Sequence, residues 1–266
     1  MNNLNFALMI RSFSLSCLTV FFLLFSFILN AQETQETQET QEKKVSELSF
    51  KNKGLELIEI DSNIYKNVKV LDLSGNKITF LPKNIQSLKS LEEIYLNADT
   101  SLNMDQAFEV LKTLPNLKKV HLDYIPNITL PKSIIDLKQL ELLTLRGDSL
   151  QEIPNEVLTL KKLKVLDLGE NKINIIPSKI KDLQNLEELY LDHDKISNLS
   201  ELKKLSYLPG LKMLHLEYNL LKMDNMRIPD LPSLKYFTMS TDKEEVPVIT
   251  IDNIIGKRVF KIGGNP

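Results

Sequence analysis

The sequence predicts an α/β solenoid shaped like a horseshoe, with a parallel β-sheet on the concave face and short helices or 3-10 turns on the convex face. Three observations carry this prediction. Aliphatic residues recur with a period of mostly 23 residues from Val45 onward, and a period of about 20 to 50 residues is typical of stacked repeats. Each unit contains an L-x-L step, whose period of two predicts a strand. The complete units continue with P-x-x-I-x-x-L, which has helical spacing.

The segment before the repeats has a different character. Residues 1–30 contain one charge, Arg11, and residues 15–29 are almost uninterruptedly apolar. An apolar run of about 15 residues suits a signal-peptide core better than the roughly 20 residues that cross a bilayer. We predict a signal peptide over residues 1–31, cleaved near Ala31; an uncleaved membrane anchor and lipid attachment at Cys17 are the alternatives. Residues 32–44, with the run QETQETQETQE, predict a polar, solvated linker.

Composition excludes several classes of function. The 33 Lys and Arg residues are balanced by 35 Asp and Glu residues, for a formal net charge of −2. Proteins that bind nucleic acid usually carry a basic excess, so nucleic acid is excluded as a partner. Cys17 is the single cysteine, which excludes a disulfide within the chain and any cysteine-based zinc site.

The complete pattern is seen in LKVLDLGENKINIIPSKIKDLQN, which starts at Leu163. Nine units begin at Val45, Val68, Leu91, Leu117, Leu140, Leu163, Leu186, Leu211 and Leu234. This pattern resembles the leucine-rich repeat family. The resemblance implies a solenoid over residues 45–245, with its aliphatic residues stacked inside. Residues 246–266 predict a C-terminal cap of two short strands around Asp252-Asn253, because a solenoid must cover its open end.

One position of each unit is expected to hold the bend after the strand. The family places asparagine there, where the side-chain amide can bond to backbone groups, and Asn76, Asn171 and Asn219 match it. Aspartate stands there in four units, at Asp99, Asp148, Asp194 and Asp242, and Ile125 replaces it in the unit from Leu117. The units from Leu91, Leu186 and Leu211 lack the L-P step, which predicts irregular turns.

A longer period overlies the first. Residues 69–99 match residues 164–194 at about half of their positions, which indicates tandem duplication of a four-unit block. In the strand pattern the fifth residue of each unit faces the concave side. These residues are Asp72, Tyr95, His121 and Thr144, and then again Asp167, Tyr190, His215 and Thr238. Selection for a ligand and simple inheritance from the duplication are the two interpretations of this repeated quartet.

Tyrosines and acids concentrate on the same predicted face. Five of the seven tyrosines map to it: Tyr95, Tyr124, Tyr190, Tyr218 and Tyr236. Tyrosine is enriched in binding hot spots, whereas cross-strand stacking would merely stabilise the sheet. The acids there are Glu47, Asp72, Glu93, Asp123, Asp167, Glu170, Glu188, Asp192 and Glu217, against Lys51, Lys119 and Arg146. We predict an acidic face that prefers a neutral or basic protein surface.

Catalysis and metal binding are weighed and set aside. The residue types of a hydroxyl, imidazole and carboxylate relay occur twice, as His121, Asp123, Thr144 and as His215, Glu217, Thr238. An open sheet surface offers neither an oxyanion site nor exclusion of water, so we predict no enzyme activity. The run Asp192-His193-Asp194 has metal-binding residue types, but Asp194 falls at the inward bend position. No metal and no cofactor is therefore predicted.

The functional prediction is an exported, non-enzymatic protein-binding module. The L-P-x-x-I type of repeat behind a signal peptide resembles exported proteins of bacteria, including those numerous in pathogenic spirochaetes. The resemblance implies a protein partner, such as a host extracellular protein, and a secreted or cell-surface location. A periplasmic or envelope-tethered scaffold for the cell's own proteins is the alternative, with membrane contact only if the signal segment is retained. The candidate ligand-binding residues are Asp72, Tyr95, His121, Asp123, Tyr124, Thr144, Arg146, Asp167, Tyr190, Asp192, His215, Glu217, Tyr218 and Tyr236.

Overall fold

The structure is a computed structural model that describes residues 45–61, 65–221 and 229–239, and the backbone of residues 248–254 and 257–263. The predicted signal peptide and linker, residues 1–31 and 32–44, lie outside the described residues, as does Asp242. Within the described ranges, none of the helices has the length and apolar character needed to span a bilayer.

One sheet of eleven strands runs through the solenoid, and the order of the strands in space follows their order in the chain. The first nine strands pair in parallel, one strand for each predicted unit. They are β1 (Glu47–Ser49), β2 (Val70–Asp72), β3 (Glu93–Tyr95), β4 (Lys119–His121), β5 (Leu142–Thr144), β6 (Val165–Asp167), β7 (Glu188–Tyr190), β8 (Met213–Leu216) and β9 (Tyr236–Met239). The predicted parallel-sheet repeat solenoid is confirmed.

Short helical segments return the chain between strands, as the P-x-x-I-x-x-L step predicts. The 3-10 helices are Lys83–Ser87, Lys132–Asp136, Val157–Thr159, Ser178–Asp182 and Leu199–Tyr207. Proline starts three of them; Pro82, for example, has φ −65°, the angle at which its ring already holds the backbone. The isoleucine three residues after Pro82, Ile85, is fully buried, so each return segment closes over the aliphatic core.

The two longer units carry the two longest helical segments, so the prediction of irregular turns is wrong there. The α-helix α1 spans Met104–Leu111, and its start is capped by Asn103, which accepts a hydrogen bond from the backbone N–H of Gln106 at 2.9 Å. Phe108, a residue of this helix, is fully buried. The extra residues of this unit therefore form an amphipathic helix that adds a large aromatic ring to the core.

Buried side chains hold the bends between turns. The Asn171 amide donates to the carbonyls of Leu145 and Leu168, each at 2.8 Å, while its Oδ1 accepts from the backbone N–H of Asp148 and Leu150. Such bonds satisfy backbone groups that the sheet leaves open. Asparagine at this position is thus structural, as the sequence predicts.

Aspartate at the same position forms fewer hydrogen bonds than asparagine does. Asp194 is 5% exposed; Oδ1 accepts from the backbone N–H of Ile173 at 2.8 Å, and Oδ2 has no hydrogen-bond partner among the described residues. Asp148 has the same arrangement, with Ile125 as the donor at 2.7 Å. Burial raises the pKa of both carboxyls to about 8, because a charge that leaves water without full compensation is disfavoured.

The far end of the sheet differs from the predicted cap in one respect. β10 (Val248–Ile254) pairs antiparallel with β9 on one side and with β11 (Lys257–Gly263) on the other. Two strands are present as predicted, but Asp252 and Asn253 lie inside β10, paired with Val259 and Arg258. The pairing continues to Ile254 and Lys257, so both strands are longer than the polar Asp-Asn pair suggests.

Candidate functional site

The parallel register brings the fifth-position residues into one row across the sheet. Neighbouring strands pair so that this row reads Asp72, Tyr95, His121, Thr144, Asp167, Tyr190, His215 and Thr238. Other predicted site residues lie at the carboxyl ends of the strands: Asp123, Tyr124, Arg146, Asp192, Glu217 and Tyr218. Tyr236 begins β9. The repeated quartet is therefore a continuous feature of the sheet.

The first quartet forms a bonded stack. The rings of Tyr95 and His121 lie parallel with centroids 4.0 Å apart. Glu93, two residues before Tyr95, accepts from the Tyr95 hydroxyl at 2.6 Å and lies 3.0 Å from His121 Nε2. Lys119 donates to the same carboxylate at 3.1 Å. Because a carboxylate only accepts, His121 carries its proton on Nε2, and Nδ1 can accept from the Thr144 hydroxyl at 3.3 Å.

The second quartet repeats the stacking and the tyrosine and threonine hydrogen bonds, but its histidine contacts a different carboxylate. Tyr190 and His215 lie parallel with centroids 4.4 Å apart, and the Tyr190 hydroxyl donates to Glu188 at 3.1 Å. His215 turns its Nδ1 toward Glu217 at 3.4 Å and toward Thr238 at 2.9 Å. Its Nε2 is buried and has no hydrogen-bond partner among the described residues. Both imidazoles therefore contact a threonine through Nδ1, but His121 contacts its carboxylate through Nε2 and His215 through Nδ1.

Burial and hydrogen bonding in the two stacks shift the pKa values of Tyr95, Tyr190 and Glu93. Burial, followed by the hydrogen bond to Glu93, raises the pKa of Tyr95 to about 12. Burial and the Glu188 carboxylate raise the pKa of Tyr190 to about 12 as well. For Glu93 burial would raise the pKa, but the hydrogen bonds from Tyr95, Lys119 and His121 outweigh it and lower the pKa. Both tyrosines therefore remain neutral hydrogen-bond donors at physiological pH.

A second cluster lies where one four-unit block meets the next. Arg146, which follows β5, donates to Asp167 at 3.3 Å and to Glu170 at 3.1 Å, both in the next unit. Its guanidinium also reaches Asp192, two units away, with both terminal nitrogens. This planar, bidentate contact is the geometry for which arginine is suited. Arg146, predicted as a ligand-binding residue, is thus bonded to three carboxylates of its own chain.

Gly169 leaves the space through which Arg146 passes. A Cβ at this position would overlap the Arg146 guanidinium and would lie 2.7 Å from Asp192 Oδ1. Burial would raise the pKa of Asp192, but the hydrogen bonds and charge of Arg146 outweigh it and lower the pKa. Asp167, where burial dominates, has a raised pKa. One arginine among these carboxylates leaves the cluster acidic.

The tyrosines of the predicted face divide into two groups. Tyr95 and Tyr190 are half-buried in the stacks, whereas Tyr124, Tyr218 and Tyr236 are each about half exposed, at 48%, 49% and 50%. Tyr218 also stacks on His193, with centroids 4.3 Å apart. Three rings of the face are therefore accessible to solvent over about half of their surface.

Of the two sets of hydroxyl, imidazole and carboxylate that the sequence suggests, the second comes together, with His215 Nδ1 2.9 Å from Thr238 and 3.4 Å from Glu217, and the first does not. His121 bonds to Glu93 and not to Asp123, whose carboxylate accepts from the backbone N–H of Arg146 at 3.0 Å. Thr144 and Thr238 are 9% exposed. Each hydroxyl contacts an imidazole Nδ1, and the burial of both side chains leaves little of either accessible to a substrate.

The Asp192-His193-Asp194 run is likewise divided by the fold. Asp192 binds Arg146, while Asp194 turns into the bend and accepts from Ile173. His193 Nδ1 lies 3.1 Å from Asp192. The three side chains do not converge on one point.

A backbone feature of the site was not predicted. The residue that ends each concave turn, eight positions into the unit, has a positive φ in the first eight units: Asn52, Gly75, Ala98, Tyr124, Gly147, Glu170, His193 and Tyr218. The left-handed region is unfavourable for most side chains. Asn52, Gly75 and Gly147 are residue types that tolerate a positive φ, so their recurrence at this position could have predicted the conformation. The conformation directs Tyr124, for example, across Gly147 toward Glu170, whose carboxylate its hydroxyl approaches at 3.4 Å.

Comparisons with known proteins agree with this architecture. A family model described as "Leucine-rich repeat region" matches residues 99–237, which is more than half of the 266-residue chain, and one described as "Leucine Rich Repeat" matches residues 67–88. The crystal structure of an internalin C2 from Listeria monocytogenes is similar at 26% identity and a TM-score of 0.57, covering 73% of this chain and 80% of that one.

Two further structures show weaker similarity. A leucine-rich repeat protein of Leptospira interrogans is 24% identical with a TM-score of 0.48, covering 79% of this chain and 71% of that one. An internalin, InlF, of Listeria monocytogenes is 22% identical with a TM-score of 0.47, covering 69% and 56%. The comparison with curated proteins gives no match.

Proposed function

Because this chain belongs to the leucine-rich repeat family, we propose that it is an exported, non-enzymatic module that binds a protein on its concave face. Leucine-rich repeat domains generally bind proteins and are typically not enzymes. The exported, bacterial character, the L-P-x-x-I repeat type found in spirochaetes and the host-facing role are parts of the proposal. The apolar segment of residues 15–29 and the similarity to a Listeria protein support them.

The observation that carries the binding proposal is the combination of exposed tyrosines with an acidic cluster on one sheet. Tyr124, Tyr218 and Tyr236 are each about half exposed, and Arg146 is outnumbered by the carboxylates it contacts. Aromatic rings beside excess negative charge favour a protein surface that is neutral or basic. The partner proposed is therefore a protein with such a surface, including a host extracellular protein.

A peptide-library selection tests the binding site. Random peptides displayed on phage are selected against the wild-type chain, and each is then measured against a variant with Tyr124, Tyr218 and Tyr236 replaced by Ala. The matched control is Tyr207→Ala, which removes a ring that is 67% exposed on the return segment Leu199–Tyr207. Loss of binding in the triple variant with retention in the control supports the concave site. Equal binding to both variants would refute it.

Location is tested on intact native cells. Brief protease treatment followed by mass spectrometry identifies released peptides from residues 68–239, together with the mature N-terminus. Release from intact cells, or presence in the medium with Gln32 at the N-terminus, supports export. Protection until the envelope is opened would instead support the periplasmic scaffold for the cell's own proteins, and retention of residues 15–29 would indicate membrane tethering.

A further inference from the structure

The two duplicated stacks differ at one neighbouring position. Glu93 on β3 is paired across the sheet with Lys119 on β4, and Glu188 on β7 is paired in the same register with Met213 on β8. Each glutamate accepts a hydrogen bond from the tyrosine two residues later. The duplication thus preserves the carboxylate and the ring but exchanges the neighbouring cation for an uncharged thioether.

This exchange changes how each carboxylate is satisfied. Glu93 interacts with the Tyr95 hydroxyl, His121 Nε2 and the ammonium of Lys119. Glu188 has one hydrogen bond, from Tyr190, among the described residues. A half-buried carboxylate beside apolar side chains gains more from a cation than a fully solvated one does, because the charge is screened less.

The surroundings of Glu188 suit the stem of a long basic side chain. Its pairing partners on the two sides are Val165 and Met213, and Met213 pairs in turn with Tyr236, whose ring is half exposed. Lysine packs its methylene chain along apolar surface and keeps its ammonium on a polar group. Methionine adapts readily to such a contact.

We propose that Glu188, with Val165 and Met213 beside it, receives a lysine side chain of the partner protein, in the place where Lys119 supplies that cation to Glu93 within the chain. This inference rests on the proposed protein-binding function and specifies the chemistry of one contact. The first stack is occupied by its own lysine, and the second is open. The duplicated blocks therefore provide one binding position and not two.

The test uses the whole chain with Met methyl groups labelled with ¹³C, so that Met213 reports from inside the position. The probe is Nα-acetyl-lysine N-methylamide, and its apolar counterpart is Nα-acetyl-norleucine N-methylamide. We expect a saturable shift of the Met213 methyl resonance with the lysine compound alone. Glu188→Gln is expected to raise its Kd at least about tenfold, the equivalent of one charge-assisted hydrogen bond. Glu47→Gln, which removes a carboxylate from the same column on β1, is the matched control and should leave the Kd unchanged.

Two reciprocal variants follow from the internal comparison. Met213→Lys supplies the cation within the chain and should abolish binding of the lysine compound. Lys119→Met should open the first stack and create a second position, seen as a shift of the introduced methyl group. Circular dichroism establishes that both variants are folded.

Different results would refute the lysine position and the proposed binding function of the concave face. A non-saturable shift, the same Kd in Glu188→Gln and wild type, or preference for the norleucine analogue would overturn the lysine position. If the library selection yields peptides that need the tyrosines but bind equally well to Met213→Lys, the lysine position fails while the binding function stands. If the lysine compound binds at Glu188 but no selected peptide depends on the tyrosines, the concave-face function fails while the position stands.

Discussion

Replacing Asp194 with asparagine is expected to stabilise the protein at neutral pH. Asp194 Oδ1 accepts from Ile173 at 2.8 Å, but Oδ2 is buried and has no partner within the part of the chain that the structure describes. One turn earlier, Asn171 fills the same position and donates its amide to the carbonyls of Leu145 and Leu168. With its raised pKa the buried Asp194 carboxyl must take up a proton on folding at pH 7, which costs free energy, whereas asparagine is neutral and forms both hydrogen bonds without a proton.

The size of the effect follows from the shift in acidity. Burial raises the pKa of Asp194 from 3.8 to about 8. A carboxyl whose pKa is raised in the folded state favours folding fully below about pH 4, and that contribution is lost as the pH rises toward 8. At about 1.4 kcal/mol per pKa unit, the penalty at pH 7 is at most about 4 kcal/mol. A buried unsatisfied acceptor typically costs about 1–3 kcal/mol, so we expect a gain of about 2 kcal/mol.

Thermal unfolding followed by circular dichroism at pH 4, 5.5, 7 and 8 measures this gain. For a solenoid of this size, about 2 kcal/mol raises the Tm by about 4–8 °C, and the difference should shrink toward zero at pH 4. The reciprocal control is Asn171→Asp, which should lower the Tm at pH 7 and less so at pH 4. An Asp194→Asn variant with the Tm of the wild type at pH 7, or with a gain that does not change with pH, would refute the reasoning.

Three further variants test the packing and the arginine cluster. Phe108→Ala should lower the free energy of unfolding in urea by about 3–5 kcal/mol, because it empties a fully buried site; a loss below 1 kcal/mol would contradict the packing described. Arg146→Met should cost about 2 kcal/mol at pH 7, because it removes the guanidinium from Asp192 and leaves His193 as its remaining side-chain partner among the described residues. Since the pKa of Asp192 is lowered in the fold, that cost should shrink as the pH falls through the lowered pKa, and a cost that does not change at acidic pH would argue against ion pairing. Gly169→Val should displace the guanidinium, so its cost and that of Arg146→Met should sum to more than the cost of the double variant; additivity would place Arg146 elsewhere.

The sequence is most informative where one side chain repeats one role in every turn. The aliphatic positions, the strands and the asparagines at the bend all follow from the 23-residue period, because each stacked turn must bury the same face against its neighbour. The fifth-position row could be predicted for the same reason, since parallel strands in register align equivalent residues.

Contacts between turns were harder to predict. From residue type and position on the strand, Asp123 was expected to be the carboxylate beside His121. Instead, Glu93 on the preceding strand has the side-chain length and position to reach the imidazole. Arg146 can reach across Gly169 to Asp192 because Gly169 has no Cβ. The repeat pattern does not predict a contact of this kind. The helix Met104–Leu111 lies in a lengthened unit, where the repeat itself offers no template.

Arg146 also bears on how the solenoid unfolds. In repeat proteins each turn contacts only its immediate neighbours, so a chain of turns can open at any weak junction. Arg146 lies in the last turn of the first block, and its contacts reach the first and second turns of the next block. A link that skips a turn couples second neighbours, so the turn between them cannot open without breaking it. We therefore expect the two four-unit blocks to unfold together at their junction. The backbone amides on both sides of Gly169 should then exchange slowly.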